Sequence, residues 1–97
     1  MSDCPDTPWI DVSIDFFGPT RQGHYLLVIV DNFSRFPIVK FVSSTSAKST
    51  IPTLDKAFSE HGIPKTVRSD NGPPFNSHNF HAFATTLGFK HRKITPL

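Results

Sequence analysis

Trp9-Ile10-Asp11-Val12-Ser13-Ile14-Asp15-Phe16-Phe17-Gly18-Pro19 alternates apolar and polar side chains from Ile10 to Phe16 and then stops at Gly-Pro. A period of two is the signature of a β-strand, with Ile10, Val12, Ile14 and Phe16 on one face and Asp11, Ser13, Asp15 and Phe17 on the other. Asp15 is thereby set on a strand expected to lie inside a sheet. A lone ionised carboxylate is costly there unless a cation meets it.

Working outward, Arg21-Gln22-Gly23 makes a turn, and Tyr25-Leu26-Leu27-Val28-Ile29-Val30 is a continuous apolar run, as expected for a strand covered on both faces. Asp31-Asn32 opens another turn, and Ile38 to Val42 gives a third strand. The short connections make these three strands an antiparallel meander. The period then changes. Ala47, Ile51, Leu54, Phe58 and His61 fall at helical spacing, with Ser49 or Thr50 as the cap, Pro52 in the first turn, and Gly62 and Pro64 as the stop. Thr66-Val67-Arg68-Ser69 is a short strand ending at Asp70. Asn71-Gly72-Pro73-Pro74 turns, and Asn76 or Ser77 caps a second helix whose apolar face is Phe80, Phe83, Ala84 and Leu87. Phe89 to Ile94 completes the pattern as a fifth strand, and Thr95-Pro96 turns out of it.

The order β-β-β-α-β-α-β predicts an α/β domain: a mixed five-stranded sheet with helices on both faces, in the ribonuclease-H-like layout. At 97 residues the chain makes one domain. Residues 1–8 read as a leader, and residues 9–97 as the domain. Apolar residues are 37% of the chain and ten residues are Phe, enough for a real core. The net charge of +2 is too small to argue nucleic-acid binding by itself, so that argument must come from where the charges sit. No apolar run approaches the ~20 residues of a membrane span, and the N-terminus has no basic start before an apolar stretch. The single Cys4 makes no internal disulfide or thiolate cage and suits a reducing, intracellular setting.

Two carboxylates carry the chemical expectation. If the fourth strand pairs beside the first, as this topology requires, Asp15 and Asp70 converge. Acidic oxygen donors with open positions are what Mg²⁺ or Mn²⁺ takes, and two such ions can clamp the attacking and leaving oxygens of a phosphodiester. Ser69-Asp70-Asn71-Gly72 is equally good turn chemistry, with Asp and Asn bonding their own backbone. Asp31, in Asp-Asn-Phe-Ser, reads as structural on the same ground. His78 and His81 share a helix face but have no acidic or thiolate partner nearby, and read as surface. The basic run Lys90, His91, Arg92 and Lys93 suits phosphate contact or a solvated strand edge. Arg35 and Lys65 are open to the same two readings.

Four stretches together resemble one family. Trp9 to Pro19 is similar to the first catalytic-Asp motif of integrases from Ty3/gypsy-type retrotransposons, and Tyr25 to Phe36 (YLLVIVDNFSRF) to the strand and turn after it. Ser69-Asp70-Asn71-Gly72-Pro73-Pro74-Phe75 resembles the second catalytic-Asp motif. His91-Arg92-Lys93-Ile94-Thr95-Pro96-Leu97 resembles the segment leading toward the third acidic residue. The resemblance implies a retroviral-type integrase catalytic core of ribonuclease-H-like fold, with a D,D-E triad and divalent metal. It also implies 3′-processing and strand transfer of element DNA ends into target DNA, in the nucleus, by an assembly that can be homo-oligomeric. Asp15 and Asp70 match the first two acids, as catalytic and metal-binding residues. Asn71, Gly72, Lys90, Arg92 and Lys93 are the DNA-contact candidates. The third acid, a Glu, is expected about ten residues beyond Leu97 by family spacing. The zinc-binding module and C-terminal DNA-binding region of the family have no counterpart in these residues. Three functions follow: an integrase core that is inactive by itself for want of the third acid, a non-enzymatic remnant or domesticated nucleic-acid-binding domain, and a ribonuclease-H-like nuclease of another family.

Overall fold

The computed structural model describes residues 9–94; the expected leader (residues 1–8) and the turn at Thr95-Pro96 lie outside them. Five strands and two helices follow in the expected order: β1 (Asp11–Phe17), β2 (Tyr25–Asp31), β3 (Pro37–Val42), α1 (Ala47–His61), β4 (Thr66–Ser69), α2 (His78–Leu87) and β5 (Lys90–Lys93). They form one sheet in the order β3-β2-β1-β4-β5. The meander pairs antiparallel, with Ile14 opposite Ile29 and Val28 opposite Val39. β4 joins β1 in parallel, and β5 joins β4 in parallel. A parallel partner cannot be reached by a tight turn, so α1 and α2 serve as the crossovers.

Alternation along the strands decides which side chains meet the helices. Val12 and Ile14 of β1, Leu27 and Ile29 of β2, Val42 of β3 and Val67 of β4 are all buried. They form one cluster with Leu54, Ala57 and Phe58 of α1 and Phe80 and Ala84 of α2. The phenylalanines interlock at its centre: Phe80 meets the rings of Phe75, Phe83 and Phe89 with centroids 5.3, 5.9 and 6.1 Å apart. Burying a side chain of that size contributes about 1.5–3 kcal/mol. Asp31 is buried as well. Its Oδ2 accepts from the Ser34 hydroxyl at 2.7 Å, and the Phe33 and Ser34 N–H groups also donate to its carboxylate. Burial pushes this carboxyl up, but the hydrogen bonds from Ser34, Trp9 and Phe33 outweigh it and hold the pKa below the ordinary value. The turn reading of Asp31 is the one the structure displays.

Local expectations change at the start of α1. The cap of α1 is Ser46, whose hydroxyl accepts from the Ser49 N–H, rather than Ser49 or Thr50. Thr50 instead turns into the core, where its hydroxyl finds no partner among the described residues. Because the helix starts earlier, Pro52 falls past the first turn and removes an internal N–H donor. Ser77 caps α2, and Gly88 ends it in the left-handed region at φ 86, where a residue with a Cβ is strained.

The largest difference concerns the second face of the sheet. Both helices feed the same core cluster, so among the described residues only one face is covered. The register lines up Phe17, Leu26 and Phe41 on the other face, and beside them Asp15, Val28 and Val39. Phe41 is 75% exposed, Phe17 55% and Val39 50%. The unbroken apolar run of β2 is therefore buried at Leu27 and Ile29 but only half-buried at Leu26, Val28 and Val30.

Candidate functional site

Parallel pairing of β1 with β4 creates the site. The register runs Asp11 to Thr66, Val12 to Val67 and Ser13 to Arg68. Two residues further along each chain stand Asp15 and Asp70. Both line one cleft of about 320 Å³, together with Ser13, Ile14, Arg68, Ser69 and Ile94. Residues 55 positions apart in sequence are thus brought to the same end of neighbouring strands.

Asp15 is exposed, which corrects the expectation that a carboxylate on an inner strand is buried. The strand is central, but Asp15 points from its uncovered face, where water reaches the carboxylate. Asp70 is exposed too, just past the end of β4. One oxygen of each carboxylate is tied to its own backbone: Asp15 Oδ1 accepts the Phe16 N–H at 2.8 Å, and Asp70 Oδ1 accepts the Gly72 N–H at 2.9 Å. The second bond closes the turn anticipated from Asp-Asn-Gly, so turn chemistry and an open carboxylate coexist at Asp70. The Oδ2 atoms of both residues accept no hydrogen bond among the described residues.

The cation that lines the cleft is already engaged. Arg68 donates Nε and Nη2 to the Asp11 carboxylate at 2.9–3.2 Å. Hydrogen bonding to Asp11, and then its charge, raise the Arg68 pKa. Asn32 donates to Asp11 at 3.0 Å, and Ser13 donates to Asn32 at 3.0 Å, so the pair is held from β1, β4 and the turn after β2. Among the described residues the ion pairs are Arg68–Asp11 and Lys40–Glu60. Asp15 and Asp70 are in neither, which leaves two unneutralised acids facing one cleft. Such a donor set fits a hard divalent cation through free carboxylate oxygens, with few protein ligands and hence weak affinity. Among the described residues no group of three or more His, Cys, Asp and Glu side chains gathers to hold a metal ion.

The other candidates separate by geometry. Asn71 and Gly72 follow Asp70 directly, in the turn at the cleft's edge. β5 splits the basic run: Arg92 pairs with Arg68 and Lys90 with Thr66, which sets them on the face that carries Ser13 and Asp15. Lys93 pairs with Ser69 on the opposite side of the strand, though its own side chain is exposed. Arg35 borders an adjoining groove with Asp15, Ser13 and Asn32. Lys65 lies at the far end of β4, where its N–H bonds Ile10. His78 and His81 are exposed. Sequence reasoning missed Ser13, Ile14, Arg68, Ser69 and Ile94 as lining residues. Only the parallel register brings them in; the one sequence signal was their spacing from the two aspartates.

The profile of the family described as integrase core domain matches residues 9–96. The chain belongs to the integrase core domain family. An uncharacterized protein of Caenorhabditis elegans is 43% identical over 88 residues, which are 91% of this chain and 7% of that protein. The Gag-Pro-Pol polyprotein of Mason-Pfizer monkey virus is 39% identical over 87 residues, 90% of this chain and 5% of the polyprotein. The integrase core seen here thus spans a small part of these relatives. The structure of the HTLV-2 integrase catalytic core domain in complex with magnesium, in its trimeric form, superposes with a TM-score of 0.81 at 29% identity, over 90% of this chain and 60% of that one. A simian T-cell lymphotropic virus intasome in complex with the PP2A regulatory subunit B56 gamma gives 0.83 at 25% identity, over 93% of this chain and 36% of that one. This integrase core shares the ribonuclease-H-like fold of these neighbours.

Proposed function

We propose that this integrase core serves DNA integration, 3′-processing and strand transfer of element DNA ends into target DNA, with Asp15 and Asp70 as the catalytic carboxylates that hold Mg²⁺ or Mn²⁺. The observation that carries this reading is the pair of exposed, cation-free carboxylates at one cleft, on the strands that the integrase fold makes neighbours. A bound divalent cation would supply charge stabilisation at a phosphodiester. The chain's own part is to aim the two carboxylates, each with one oxygen pinned by a backbone N–H. Lys90 and Arg92 would meet DNA phosphates on the face shared with Asp15, with Lys93, Asn71 and Gly72 at the margin. The magnesium-bound catalytic core and the intasome among its neighbours support a cation, DNA and an oligomeric assembly as partners.

With two carboxylates in the cleft, these 97 residues alone are expected to bind Mn²⁺ weakly and to leave DNA ends unjoined. Titration of Mn²⁺ followed by electron paramagnetic resonance tests the site directly. Asp15→Asn and Asp70→Asn should each remove the binding, at millimolar-class affinity. Unaltered binding in the double variant would refute the assignment, and strand transfer by the chain as it stands would refute the expected inactivity.

A further inference from the structure

Asp70 lies one residue past the end of β4, where no ladder bond fixes it, yet a cation ligand must be held in place. The fixing falls to Ser69. Its carbonyl accepts the Ile94 N–H at 2.7 Å, and its hydroxyl is 2.9 Å from the Asp70 carbonyl and 2.6 Å from His91 Nε2. Ser69 is 2% exposed, so water does not complete its bonding. A hydroxyl has one proton to donate. Given to the Asp70 carbonyl, it leaves the Ser69 oxygen to accept, so the donor from the imidazole must be an Nε2–H. Burial first, and then the nearby Lys93, push the His91 pKa down, which keeps the ring neutral near pH 7. The ring is fixed in turn against Phe80, with centroids 4.8 Å apart. The chain of contacts therefore runs from the aromatic core, through His91 and Ser69, to the backbone of Asp70.

We propose that His91 is a positioning residue for the cation site, acting on Asp70 through the Ser69 hydroxyl. The inference rests on the reading of Asp70 as a cation ligand and adds His91, which does not line the cleft. Outer-shell partners of metal ligands are typically worth about 10–100-fold in metal affinity. In the intact chain, Ser69→Ala and His91→Leu should each weaken Mn²⁺ binding on the order of 10-fold, the lower end for so weak a site. His91→Gln, whose amide N–H can stand where Nε2–H stands, should restore most of it. Thermal melts of each variant run alongside, because loss of folding would be common to Leu and Gln whereas loss of aim would not. Ser69→Ala, which removes only the hydroxyl, serves as the check if His91→Leu does not fold. Wild-type Mn²⁺ affinity in Ser69→Ala, or a His91→Gln as weak as His91→Leu, overturns the proposal while leaving Asp70 in place. Binding that survives Asp70→Asn overturns both.

Discussion

The uncovered sheet face has a measurable consequence at Phe41. Its side chain is 75% exposed, in a row with Leu26 and Phe17. Full burial of a Phe is worth roughly 1.5–3 kcal/mol, so the quarter buried within this chain contributes about 0.4–0.8 kcal/mol, and the remainder, about 1–2 kcal/mol, is realised only when something covers the face. Phe41→Lys should therefore cost less than about 1 kcal/mol in a urea melt. If two copies associate through this face and each buries its Phe41, the loss doubles to about 2–4 kcal/mol, or roughly 30- to 1,000-fold in the dimer constant. A lysine on β3 also suits an edge strand, where charge discourages pairing with other chains. Sedimentation of the wild type and the variant over a concentration series reads the second quantity. The expected result is a wild type that self-associates and a Phe41→Lys chain that is markedly more monomeric at nearly equal stability. A stability loss above about 2 kcal/mol would mean that the face is covered within the monomer. Unchanged self-association would mean that this face is not where copies meet.

Other expectations follow from the same geometry. Asp31→Ala strips the acceptor from the Ser34 hydroxyl and from neighbouring N–H groups, and at about 1–3 kcal/mol for each buried donor left unpaired it should cost at least about 2 kcal/mol in chemical denaturation. A loss near zero would show that water replaces the carboxylate. His91 has its pKa lowered from 6.5 by burial and Lys93. Between that lowered value and about 6.5 the unfolded chain binds the extra proton, so stability is full above about 6.5 and falls as pH drops through the window; His91→Gln should flatten this part of a stability-against-pH curve. In duplex-DNA binding, Arg92→Ala should weaken affinity and reduce the salt slope by about 1, whereas Lys93→Ala, on the opposite side of β5, should do less. Equal effects would argue against the Asp15 face as the DNA side.

Periodicity alone determined the element order and the identity of the core, because alternation in β1 and the spacing of Leu54, Phe58, Phe80 and Ala84 are local consequences of strand and helix geometry. The two aspartates could be singled out at the same stage, since a strand-borne Asp and a strand-ending Asp are visible one residue at a time. Whether they face solvent or core was not: Asp15 alternates with Val12 and Ile14 whichever face is covered, and only the packing of both helices on one side decides that the charge is hydrated. The capping residues of α1 were misplaced for a similar reason, as Ser46, Ser49 and Thr50 have comparable local claims and the core takes Thr50. The element order also led to the expectation that β4 lies beside β1 and that Asp15 and Asp70 converge; tertiary structure alone supplied the residue-by-residue register of that pairing, the diversion of Arg68 to Asp11, and the reach of His91 through Ser69 to the edge of the site. These are contacts between residues far apart in the chain, and a chain's local pattern carries no record of which distant side chains will meet.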